Sequence, residues 1–293
     1  MMARPVTASH LTPLLLFLLV LAGCTGCGSI PIAEEDVFMP KPSITPATFS
    51  MDGVTLDERT IVSTTAEPDS VVLDAWWLRP DNTDATVLFF GGQGFYLVQS
   101  SGYVKTFAEL PTRALMWDYR GYGKSEGAPT VAHLKQDALT VYEYVTGELG
   151  VDAERLVVHG HSLGTFMATY LANERPVGGV VLENPATNVE AWEKALLPWY
   201  LRLFVGFDFA DSLRQEDNRA RIASIEVPLL IVGGSDDGIT PSEMAETLYD
   251  DARTSSKELV IVEGGGHNEL YASDAMRTAY RSLLADVQNS VHE

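Results

Sequence analysis

The sequence predicts an α/β protein built on one mostly parallel sheet of about eight strands, with helices on both faces. Three observations carry that expectation. From about residue 60 onward, short runs rich in Val, Leu and Ile alternate with longer amphipathic stretches. The first two runs, 60–63 and 71–78, have no helical stretch between them, so the sheet starts antiparallel. The later runs are continuously apolar, as strands covered on both faces are. Composition agrees: 293 residues with 46% hydrophobic and 20% charged exclude a disordered, collagen-like or low-complexity chain. Twenty Lys+Arg against 40 Asp+Glu leave a formal charge of -20, which repels phosphate backbones, so no nucleic-acid partner is expected.

Taken in order, the chain opens on an address. Arg4 is the only charged residue before position 34, and the apolar run 11–22 that follows it is too short for a membrane-spanning helix. The run ends in Leu21-Ala22-Gly23-Cys24, which resembles the lipobox of bacterial lipoprotein signals, cut before the cysteine. That resemblance implies a signal peptide at 1–23, acylation of Cys24 and attachment to the cell envelope through that lipid. Thr25 is not the aspartate that retains such proteins in the inner membrane, which favours the outer one. An ordinary secretory signal followed by cysteines is the alternative. Cys24 and Cys27 are the only cysteines, so no disulfide staples the body. Residues 24–50, with Pro31, Pro40, Pro42 and Pro46 and no apolar periodicity, read as an extended tether.

The folded domain is expected over 51–293. Strands are expected at 60–63, 71–78, 86–90, 114–117, 156–159, 177–182, 229–232 and 258–262. Helices are expected at about 96–109, 130–148, 163–174, 241–251 and 272–288. Some 45 residues separate the sixth and seventh of these strands, more than a crossover needs. Leu196, Tyr200, Leu203 and Phe207 recur at helical spacing there, so about 186–226 reads as a small helical cap whose inner face helps wall a pocket for an apolar acyl or aromatic group.

The chemistry gathers at strand ends. Gly160-His161-Ser162-Leu163-Gly164 lies between a strand and a helix, a turn that exposes a serine hydroxyl and requires glycines where side chains would meet backbone. A serine needs a base and an orienting carboxylate. Strand 229–232 breaks into Gly233-Gly234-Ser235-Asp236-Asp237, and strand 258–262 breaks into Glu263-Gly264-Gly265-Gly266-His267, which puts acids and a histidine on the same rim of a parallel sheet. Other motifs fail. Gly123-Lys124-Ser125 ends like a phosphate loop, but its first glycine would fall at Asp118. His159 and His161 read as groups flanking the elbow and not as metal ligands.

From about 53 to 288 the chain resembles the α/β-hydrolase superfamily, and within it the Bem46/ABHD13-like serine hydrolases. The run Asp118-Tyr119-Arg120-Gly121-Tyr122-Gly123-Lys124-Ser125-Glu126-Gly127 is very close to that group's signature. The resemblance implies the α/β-hydrolase fold, Ser162 as nucleophile and His267 as general base and acid. The family frame around Gly234, Thr240 and Pro241 implies Asp237 as the orienting acid, with Asp236 as second choice. It also implies an oxyanion hole formed by the backbone N–H groups of Gln93 and Leu163. Gln93 lies in Gly91-Gly92-Gln93-Gly94, where the family often has a histidine at the first position. No cofactor and no metal are implied. The expected activity is hydrolysis of a small-molecule or lipid-like carboxylic ester. The same constellation would also serve thioesters, amides or acyl transfer, and an envelope lipoprotein that uses the fold only for binding is the rival from another class.

Overall fold

The apolar runs become strands because alternate side chains of one sheet are buried on opposite faces. The computed structural model describes residues 28–38, 40, 54–64, 70–80, 85–110, 112–197, 200, 202 and 205–290. In chain order, β1 (Gly28–Ile32) and the short α1 (Glu34–Val37) precede β2 (Val54–Thr64), β3 (Ser70–Pro80) and β4 (Ala85–Phe90). Then come α2 (Ser101–Glu109), β5 (Thr112–Trp117), α3 (Val131–Glu143), β6 (Leu156–His161), α4 (Gly164–Glu174) and β7 (Gly179–Glu183). An insertion carries α5 (Val189–Leu196), β8 (Val205–Phe209), α6 (Asp211–Arg214) and α7 (Asn218–Ile222). The order ends with β9 (Leu229–Gly234), α8 (Ser242–Asp251), β10 (Lys257–Val262) and α9 (Asp274–Ser290).

Eight strands form the main sheet in the order β10-β9-β7-β6-β4-β5-β3-β2. The pairs β2/β3 and β3/β5 are antiparallel and the others parallel, as the antiparallel start implied. Alternation along β4 shows why both faces are covered. Leu88 and Phe90 pack with Leu134 and Ala138 of α3 and Phe166 of α4, whereas Val87 and Phe89 pack with Phe107 of α2 and Tyr280 of α9. Each such burial contributes about 1.5–3 kcal/mol. The chain runs from β4 to β5 on one side and returns to β6 on the other, so the order reverses at β4. A crevice forms at the C-terminal ends of strands at such a reversal.

The run 118–127 braces that crevice. Arg120 is buried and donates from Nε and Nη2 to the Asp137 carboxylate at 2.6 and 2.7 Å, and from Nη2 to Ser63 Oγ at 3.2 Å. Tyr119 donates its hydroxyl to Gly91 O at 2.8 Å, and Asp118 Oδ1 accepts the Leu97 N–H at 2.8 Å. The signature thus fixes both ends of the loop that leaves β4.

Two expectations change. Residues 28–38 belong to no extended tether: β1 pairs in parallel with β8, from Gly28↔Val205 to Ile32↔Phe209, and Phe38 is 2% exposed. Pro31 is tolerated because this two-stranded ribbon is all edge, where a missing N–H costs little. The insertion is not wholly helical either. Its α5 stops at Leu196, and Phe207 lies on β8, where Val205, Phe207 and Phe209 follow the period of two of a strand. Leu203, Trp199 and Phe204, the stretch 1–27 with Cys24, and 41–50 lie outside the described residues. Among the described residues no helix is long and apolar enough to cross a membrane.

Candidate active site

Ser162 sits where β6 turns into α4, with φ of 51°. A non-glycine residue in the left-handed region is strained, and here the turn holds it there by close packing. A Cβ on Gly160 would lie 2.5 Å from Gly164 O, and one on Gly164 would lie 2.1 Å from Phe90 O. Only hydrogen fits at either position, so the glycines let β6, α4 and the end of β4 approach.

The structure brings three of the expected side chains together. Ser162 Oγ donates to His267 Nε2 at 2.9 Å, and His267 Nδ1 donates to Asp237 Oδ2 at 2.7 Å. Asp237 is buried, and its Oδ1 accepts the N–H groups of Ile239 and Thr240 at 2.7 and 3.0 Å. Burial pushes its carboxyl up, but the His267 hydrogen bond, the histidine's charge and the two N–H donors outweigh burial and hold it below its ordinary value. Asp236 is exposed, and among the described residues its side chain bonds only to the neighbouring Ser235 hydroxyl. The geometry separates the two aspartates.

Gln93 and Leu163 flank the serine at the ends of β4 and β6. Neither backbone N–H has an acceptor among the described residues. Both residues line a cavity of about 460 Å³ that also holds Ser162 and His267. Part of its wall is apolar, formed by Phe166, Met167, Val189, Trp192 and Phe209, the last three from the insertion. Tyr103 and Tyr271 also line it.

Sequence reasoning missed several supports. Asn184, at the end of β7 with φ of 46°, donates from Nδ2 to Gly266 O and His267 O at 3.1 and 2.8 Å. Its Oδ1 accepts the Gly234 N–H at 2.9 Å, so one side chain ties the acid loop to the histidine loop. Its backbone O accepts the Thr240 hydroxyl at 3.0 Å. The only sequence signal was a polar residue at the end of an apolar strand.

The two histidines flanking the elbow have internal partners. His161 donates from Nε2 to His267 O at 2.9 Å, and burial pushes its own pKa down, toward the neutral form. His159 donates from Nε2 to the fully buried Glu183 at 3.2 Å, and Glu183 O accepts the Ser162 N–H at 2.9 Å. A buried polar layer therefore underlies the elbow.

A family model for serine aminopeptidase S33 matches residues 81–218, and one for TAP-like protein matches 210–290. The chain is 30% identical over 220 residues to the alpha/beta hydrolase domain-containing protein WAV2 of Arabidopsis thaliana, covering 70% of this chain and 71% of that one. This chain belongs to the α/β-hydrolase superfamily. In that superfamily it is also 31% identical over 189 residues to the lysophosphatidylserine lipase ABHD12 of Danio rerio, covering 60% of this chain and 47% of that one. The chain spans 61% of the length of two uncharacterised Mycobacterium tuberculosis relatives, at 34% identity over 60% of itself. The Pyrococcus furiosus esterase Pf2001 shares the fold, with a TM-score of 0.64 over 86% of this chain and 97% of that one at 17% identity.

Proposed function

We propose that this protein is a serine hydrolase of the Bem46/ABHD13-like group that cleaves carboxylic esters, held at the cell envelope by a lipid on Cys24. The observation that carries the reading is the relay Ser162–His267–Asp237 opening into a cavity with a partly apolar wall. Ser162 Oγ attacks the ester carbonyl while His267 Nε2 takes its proton. Charge develops on the carbonyl oxygen, and the unengaged N–H groups of Gln93 and Leu163 stabilise it. His267 then gives the proton to the departing alcohol. Water, deprotonated by the same nitrogen, releases the acyl group and restores the serine. Asp237 holds the imidazole in the tautomer that leaves Nε2 free to accept.

The apolar wall favours an ester with an extended apolar part, and the name of the zebrafish relative points the same way for a lipid ester. The test is turnover of a panel of esters by the wild type and by Ser162→Ala. A well-folded Ser162→Ala is expected to lose about 10⁴-fold or more in kcat. Retained turnover of the same ester by that variant would refute the reading. Anchoring is tested separately: Cys24→Ser is expected to leave the membrane pellet, and its full retention there would refute the lipid.

A further inference from the structure

The segment 28–38 lies before the main sheet, yet three contacts tie it to the site. β1 extends the insertion through its pairing with β8, closed by the Ala210 N–H donated to Ile32 O at 2.9 Å. Glu34 Oε2 accepts the Val131 N–H at 3.2 Å and so caps the start of α3. The Gln93 side chain donates to Val37 O. The strap therefore bonds at once to the insertion, to α3 and to the loop that carries Gln93. Its last two apolar side chains are then committed: Val37 and Phe38 are buried, both line the cavity, and both belong to the core cluster that holds Phe166, Met167 and Phe209.

We propose that this strap is a specificity element, with Phe38 setting how large an apolar group the active site accepts. It rests on the ester-hydrolase reading above. The phenyl ring of Phe38 lines the same cavity as the apolar side chains of α4 and the insertion, and Val37 O accepts the Gln93 side chain beside it. The ligand class is an ester whose apolar chain lies against this apolar wall beside Phe38. One methylene more or less in such a pocket changes kcat/KM by about tenfold or more, so a whole ring at its wall shifts the preferred chain length visibly.

The experiment compares acetyl, butyryl, octanoyl and lauroyl esters of one chromogenic alcohol with the full chain and with Phe38→Ala and Phe38→Trp. The ratio of kcat/KM for long over short chains is expected to rise about tenfold in Phe38→Ala and to fall in Phe38→Trp. A residue that merely supports the fold would lower all four esters together, and that outcome overturns the inference. Should Phe38→Ala fail to fold, Phe38→Leu and Val37→Ala are expected to shift the ratio in the same direction by less, and an unchanged ratio in both overturns it. Wild type that turns over no ester and takes no serine-directed label would instead refute the function itself, which keeps the two failures apart.

Discussion

At the scale of single residues, the candidate site was legible because its chemistry is local. The glycines around Ser162 and those before Asp237 and His267 mark strand ends, and strand ends in a parallel sheet share a rim. Between the two adjacent aspartates the family frame put Asp237 first, and in the fold burial separates it from the exposed Asp236. Asp237→Asn is expected to cost about 10³–10⁴-fold in kcat, whereas Asp236→Asn stays within about twofold, checked by steady-state kinetics on one ester. Asn184 was not legible, because its role depends on three backbone partners that come together only in the folded rim. Asn184→Ala is expected to lower kcat about 10²-fold through misplacement of His267, with KM changed much less.

At the scale of elements, the signature run 118–127 acts through what it holds. Asp118 is fully buried, and burial pushes its carboxyl up to about 7 against the pull of the Leu97 N–H. The folded chain keeps that proton while an unfolded carboxyl releases it near 3.8, so the native state binds more protons between those values. The stabilisation is full below the lower value and is lost as pH rises through about 7. Asp118→Asn keeps the acceptor for Leu97, so its melting temperature is expected to fall less than that of wild type between about pH 5 and 8, read by thermal unfolding across that range.

The buried Arg120–Asp137 pair makes the opposite point. Asp137→Ala leaves a buried guanidinium unpaired and is expected to cost about 3–5 kcal/mol in denaturant unfolding. The inner strands of the sheet were legible because a strand buried on both faces needs an unbroken apolar run, whereas the polar, largely exposed edge strand β2 was read only over 60–63. Strand β8 was not: Leu196, Tyr200 and Phe207 keep helical spacing by coincidence, and its partner lies in a proline-bearing segment more than 170 residues earlier.

At the scale of the whole molecule, the strap and the proposed lipid belong to one stretch of chain. Gly28 lies four residues beyond Cys24, a reach of at most about 14 Å. A lipid on Cys24, as proposed, would hold the insertion with its apolar wall close to a membrane, although the chain's charge of -20 is repelled by anionic headgroups. Cys24→Ser is expected to leave turnover of a soluble short-chain ester unchanged and to slow turnover of an ester embedded in vesicles. Equal loss on both would contradict that arrangement. The central claim, an activated serine in this fold, is tested most directly by a fluorophosphonate probe followed by peptide mass spectrometry. Reaction is expected at Ser162, absent in Ser162→Ala and strongly slowed in His267→Ala, while folded wild type that takes no label at Ser162 would contradict the account.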